Sequence, residues 1–246
     1  MNDTVQEIMS TADSDTNTEM KNNLRENRSI RAILLNMLLA AVSLFINGFG
    51  IYLTIRANIG AAPWDVLNLG VSKTIGISYG SASIAIALTI LLIDILLREP
   101  IGLAMFIDAV VVGKSVDFFN RLGLVPQASS LLTAIPMMVA GLFIIAYTQY
   151  GYMLASLGCG PRDTLLVGLA KRVNKIPIGA VSIMLLGTAT FIGWLLGGQV
   201  GIGTLICAFG AGPIMQIAFQ SVHFDATRIR HQQLKDSFRV ISTIHI

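Results

Sequence analysis

The chain has 246 residues, of which 54% are hydrophobic and 13% charged, about half the charged share of a soluble domain. Residues 122–161 and 176–224 contain no Asp, Glu, Lys or Arg; the second run, as one helix, would be about 74 Å long against a hydrocarbon core of ~30 Å, so it must fold back inside a membrane. This excludes a soluble enzyme, a nucleic-acid binder and a disulfide scaffold, and the net charge of +3 reflects bases placed in tails and loops.

In chain order, residues 1–29 are polar and mostly acidic and read as a disordered cytoplasmic tail. An uncharged run follows, long enough for a retained first helix at about 33–55 and too long for a signal-peptide core. Further long apolar segments lie at about 77–97, 101–119, 131–154, 178–196 and 202–222. Each approaches the ~20 residues of a spanning helix, and only helices satisfy their own backbone in lipid. Two shorter helical stretches follow Pro63, to about residue 73, and Pro161, to about residue 172, and are nearer in length to re-entrant segments. Residues 224–246 form a second polar tail. The expected fold is all-α and polytopic, with six long transmembrane helices and two short broken or re-entrant ones.

Gly60-Ala61-Ala62-Pro63-Trp64-Asp65-Val66-Leu67 matches Gly158-Cys159-Gly160-Pro161-Arg162-Asp163-Thr164-Leu165 at an offset of 98. The same offset aligns Leu44-Phe45-Ile46 with Leu142-Phe143-Ile144, and Tyr79-Gly80 corresponds to Ile178-Gly179 at an offset of 99. The chain therefore reads as two internal membrane repeats, 30–127 and 128–223. In each, glycine ends a long helix, proline suits the first turn of the next, and aspartate complements the positive end of that helix.

Charge counting places 13 Lys and Arg inside and three outside, with both tails cytoplasmic, in either of two arrangements. Six crossings make the repeats inverted; eight crossings, with the short helices also spanning, make them parallel.

Paired broken helices at matching places in two halves point to a transporter site. The candidate binding residues are Pro63, Trp64, Asp65, Pro161, Arg162 and Asp163, with the two breaks expected to line one shared cavity. Asp108, Lys114 and Asp117 in the third long segment are candidates for ion or proton coupling, because ionisable groups at membrane depth are costly; Lys114 and Asp117 are spaced to pair on one helix face. Asp94 is close to a helix end and reads as interfacial. No His, Cys and carboxylate cluster has metal-ligand spacing, Cys159 and Cys207 read as small buried residues, and no nucleophile–base pair is visible. No metal, cofactor or enzymatic activity is expected. Gly76–Gly80, Gly197–Gly201 and Gly210-Ala211-Gly212 read as small-residue packing faces, one of which would suit a homodimer.

The first break with Trp64, the second copy from Leu157 to Asp163, and Gly201-Ile202-Gly203-Thr204 together resemble the YczE/YitT-type bacterial integral membrane proteins over about residues 30–222. The resemblance implies a multi-pass cytoplasmic-membrane protein and no activity. The halves have diverged: Arg162 stands where the first copy has Trp64, and Leu103 stands opposite Thr204. The expected function is a small-molecule transporter or exporter in the bilayer with a site between the repeats; the alternative is a non-transporting scaffold or regulator that assists a partner protein.

Overall fold

The structure, a computed structural model, describes residues 31, 34–99, 101–155, 160–173 and 176–222. Both expected tails, and the Gly158 and Cys159 positions of the second break, lie outside them. The described residues form eight α-helices and no strand. They are α1 (Leu34–Arg56), α2 (Pro63–Ile75), α3 (Tyr79–Leu96), α4 (Leu103–Leu122), α5 (Leu131–Leu154), α6 (Pro161–Arg172), α7 (Ile178–Leu195) and α8 (Ile202–Ser221). Helices α1, α3, α5, α7 and α8 are long and apolar enough to cross a membrane. The expected sixth span, α4, has the length, but Asp108, Lys114, Asp117 and Arg121 dilute its apolar run. Outward faces are apolar, with Leu132, Phe209 and Ile183 each more than 70% exposed, as expected of side chains solvated by acyl chains. The chain is a polytopic α-helical membrane protein.

Close helix contacts occur at glycine. A Cβ on Gly80 would lie 2.1 Å from the Gly113 carbonyl oxygen, which seats α3 on α4. One on Gly193 would lie 2.5 Å from the Leu67 nitrogen, which seats α7 on α2. Helix α4 lies against α1 through Gly48 and Ser115, and through Phe45 with Phe118 and Phe119. Helix α5 lies against α1 through Gly50 and Gly141 and packs on α8, while α6 packs on α3. Gly76 and Gly197 act differently from the packing role expected for them. Both take left-handed backbone, at φ 75° and 83°, and terminate α2 and α7.

Two sets of contacts join connections far apart in the chain. In one, the Arg56 Nε donates to the Val125 carbonyl at 2.9 Å, Thr74 donates to the Leu196 carbonyl at 3.0 Å, and the Ala61 N–H donates to the Gln199 carbonyl at 3.2 Å. In the other, Glu99 between α3 and α4 accepts from Lys171 at 2.6 Å and Arg172 at 3.0 Å at the end of α6.

Candidate functional site

Each short helix opens the way its sequence dictates. Pro63 and Pro161 occupy the first turns of α2 and α6, where no intrahelical donor is required, and Asp65 and Asp163 lie in the same turns. Gly60 adopts φ 117°, and a Cβ there would lie 2.7 Å from the Gly201 nitrogen. This left-handed residue allows the chain to turn from α1 beneath the start of α8, where the Gly203 N–H donates to the Ile59 carbonyl at 2.7 Å.

The starts of the two short helices meet at one cavity of about 350 Å³. Trp64 and Asp65 line it from α2, Arg162 and Asp163 from α6, and Asp108 from α4. The Arg162 guanidinium lies over the Trp64 ring, 5.3 Å from its centroid, in a cation–π arrangement. Its charge attracts the carboxylates of both Asp65 and Asp108, while Asp163 repels Asp108. The Asp108 Oδ2 would lie 3.2 Å, and the Asp163 Oδ2 4.0 Å, from a Cβ placed on Gly160. Gly160 has ordinary extended backbone at φ −67°, so its missing side chain makes room for Asp108.

Asp65 is 4% exposed and tightly held. The Tyr79 hydroxyl donates to its Oδ1 at 2.7 Å, and the Asn68 Nδ2 donates to the Tyr79 hydroxyl oxygen at 3.1 Å. Asp163, in contrast, is an exposed residue at the cavity rim.

The remaining candidates fall elsewhere. Pro63 lines a separate apolar groove between α7 and α8, and Pro161 is buried. Lys114 is exposed, and it makes no ion pair with Asp117, contrary to the pairing expected from their spacing. Asp117 is turned toward α3, where it accepts from the Ser78 hydroxyl at 2.5 Å and the Gly80 N–H at 2.8 Å. It thereby caps the start of that helix, whose free N–H groups attract a carboxylate more strongly than an exposed lysine does. Asp94, near the end of α3, is wholly buried, and neither carboxylate oxygen has a hydrogen-bond partner among the described residues.

Four polar lining residues were not singled out from sequence: Asn47 on α1, Ser83 on α3, and Gln149 and Tyr152 on α5. Asn47 and Ser83 are 8% and 4% exposed. Their polarity inside apolar runs was the available signal, but only the tertiary arrangement turns them toward one space.

Residues 34–220 match a protein family of unknown function, DUF6198. The chain is 30% identical to the uncharacterized membrane protein YczE of Bacillus subtilis, over 71% of this chain and 81% of that protein. It is 28% identical to an uncharacterized protein of Haemophilus influenzae, over 74% of this chain and 81% of that protein. It is 26% identical to the uncharacterized protein YyaS of Bacillus subtilis, over 72% and 88%. No solved structure matches. The chain belongs to the DUF6198 family of membrane proteins, in agreement with the YczE-type resemblance of its motifs.

Proposed function

We propose that the protein is a small-molecule transporter of the cytoplasmic membrane whose site is the cavity between the two broken helices. The observation that carries this reading is the meeting of both short-helix starts with Asp108 around one cavity. Irregular backbone at membrane depth is tolerated where protein or a water-filled cavity covers it, and transporters place substrate sites at such paired breaks.

The helix contacts support two inverted repeats and six crossings. Helix α2 packs on α7 as α6 packs on α3, and α4 lies on α1 as α8 lies on α5. With eight crossings, Arg56 and Val125 would sit at opposite faces of the membrane, as would Glu99 and Lys171. Both pairs are in contact, which favours six crossings with α2 and α6 re-entrant. Together with the distribution of positive charge, this reading places both tails in the cytoplasm; a reporter fused to the C-terminus and read outside would overturn that orientation.

Transport requires that the cavity open to each side in turn. With Cys159 and Cys207 replaced by alanine, Ser83→Cys should react with a membrane-impermeant maleimide from both sides of sealed vesicles. Labelling from one side only would favour the scaffold reading.

A further inference from the structure

The lining of the central cavity indicates which chemistry it accepts. The groups in its lining that carry charge near neutral pH are three carboxylates, Asp65, Asp108 and Asp163, and one guanidinium, Arg162. With all four ionised the lining carries a formal charge of −2. In the sequence, residues 156–159 include no Asp, Glu, Lys or Arg. Arg162 is already placed over Trp64 and attracted to Asp65 and Asp108, so an anion drawn to it would also meet three carboxylates.

Of the neutral polar groups in the lining, Gln149 and Ser83 can donate or accept, whereas the orientation of Asn47 leaves its amide oxygen to accept. The Thr148 hydroxyl donates to the Ile144 carbonyl at 2.8 Å and the Ile145 carbonyl at 3.0 Å, which leaves its oxygen to accept. Asn47 must therefore present its Nδ2 to Thr148, at 3.0 Å, and this fixes the amide orientation. The Asn47 Oδ1 is left without a donor among the described residues, on a side chain more than nine-tenths buried that lines the cavity. The Ser83 hydroxyl oxygen likewise has no hydrogen-bond partner among the described residues. Ala87 and Val112 add an apolar wall. Among the described residues no three His, Cys, Asp or Glu side chains converge as a metal-ligand group. The cavity thus offers hydrogen-bond acceptors and negative charge around a space wide enough for a short carbon chain.

We propose that this cavity binds a small primary ammonium compound, with Asp108 and Asp163 as its counter-charges and Asn47 and Ser83 as acceptors for its N–H groups. The assignment deepens the transport reading and rests on it for the ligand's passage across the membrane.

The test uses the full chain purified in detergent and three four-carbon probes at equal ionic strength: butane-1,4-diammonium, butane-1,4-dicarboxylate, and butane-1,4-bis(trimethylammonium), which has the charge but no N–H. A ligand that binds only the folded state raises the apparent melting temperature. The diammonium probe should do so saturably and the other two should not. Asp163→Asn and Asp108→Asn should each weaken the apparent affinity about 10-fold or more, the usual consequence of losing one charge-assisted hydrogen bond. Asp163 is exposed, so its variant stays folded and decides the matter if Asp108→Asn does not. Stabilisation by the dicarboxylate, an equal response to the quaternary probe, an unchanged response in Asp163→Asn, or no response to any probe overturns the assignment. Counterflow of labelled diammonium probe in proteoliposomes is read separately: binding without counterflow leaves the ligand class standing and removes the transport reading.

Discussion

The two breaks share the pattern Gly-x-x-Pro-x-Asp and differ in what surrounds the aspartate. In the first, Asp65 is buried and bonded to Tyr79, the first residue of α3, which is itself bonded by Asn68 three positions after the aspartate. In the second, Leu166 stands three positions after Asp163, and α7 begins at Ile178. Neither side chain has a donor, and Asp163 remains exposed at the cavity rim. One motif thus produces a buried aspartate bonded to Tyr79 in one copy and an exposed aspartate lining the cavity in the other. The neighbouring helices decide whether a first-turn carboxylate is buried or exposed.

The glycines provide the most severe test of this contrast. In Gly60→Ala, the added Cβ meets left-handed backbone and lies 2.7 Å from the Gly201 nitrogen. Conformational strain and overpacking together should cost about 3 kcal/mol or more, read as loss of inserted, monodisperse protein. In Gly160→Ala, the backbone is ordinary and, among the described residues, the new methyl approaches the Asp108 Oδ2 at 3.2 Å and the Asp163 Oδ2 at 4.0 Å. That variant should stay within about 1 kcal/mol of wild type while its response to the diammonium probe falls. Gly160 stands opposite Ala62 rather than Gly60, and equal losses of folded protein would mean that it serves the fold as Gly60 does.

The aspartates should follow the same order with smaller effects. Asp65→Leu leaves the buried Tyr79 hydroxyl without its acceptor, at about 2 kcal/mol, near the upper end for hydrogen bonds within membranes. Asp163→Leu should change the melting temperature by no more than an exposed substitution does, about 0.5 kcal/mol. Tyr79→Phe sharpens the point, because the ring stays and only the hydroxyl is lost; about 1 kcal/mol is expected. If Asp163→Leu destabilises the protein as much as Asp65→Leu, both aspartates are structural.

Much of this fold was legible in the residues. The segments at 131–154 and 161–172 coincide with α5 and α6, and the remaining boundaries agree within about three residues. Uncharged runs, prolines and terminal glycines act locally, so their signals survive in a single sequence. The meeting of the breaks was also legible, because they occupy matching places. The direction of the α4 charges was not. Asp108, Lys114 and Asp117 share one helix, yet they reach the cavity, the outer surface and the start of α3 respectively. That outcome depends on which helices flank α4. Asn47, Ser83 and Gln149 were not legible for the same reason: each is an uncharged polar residue within a long helix, and its meaning comes from residues far away in the chain.

The smallest expected effect concerns the far ends of the short helices. Helix α2 ends against backbone, with Thr74 bonded to the Leu196 carbonyl, whereas α6 ends in an ionic clasp of Lys171 and Arg172 on Glu99. The Glu99 side chain is 7% exposed, but those of Lys171 and Arg172 are 58% and 42% exposed, so water screens the clasp. About 0.5 kcal/mol is a reasonable expectation. Hydrogen bonds from Lys171 and Arg172 hold the Glu99 carboxyl below its ordinary range, against a smaller opposing effect of burial. A carboxyl that binds its proton less readily in the folded state stabilises that state above its unfolded value. The contribution is lost as pH falls through the lowered folded value. Wild type should therefore melt slightly above Glu99→Gln near pH 7, and the gap should close on acidification below about pH 4. The buried Asp94 carboxyl nearby repels Glu99 only while it is ionised, so the comparison is best repeated in Asp94→Asn. A gap that persists at low pH in both backgrounds would mean that the clasp acts through packing of the Glu99 side chain against Gly168 rather than through charge.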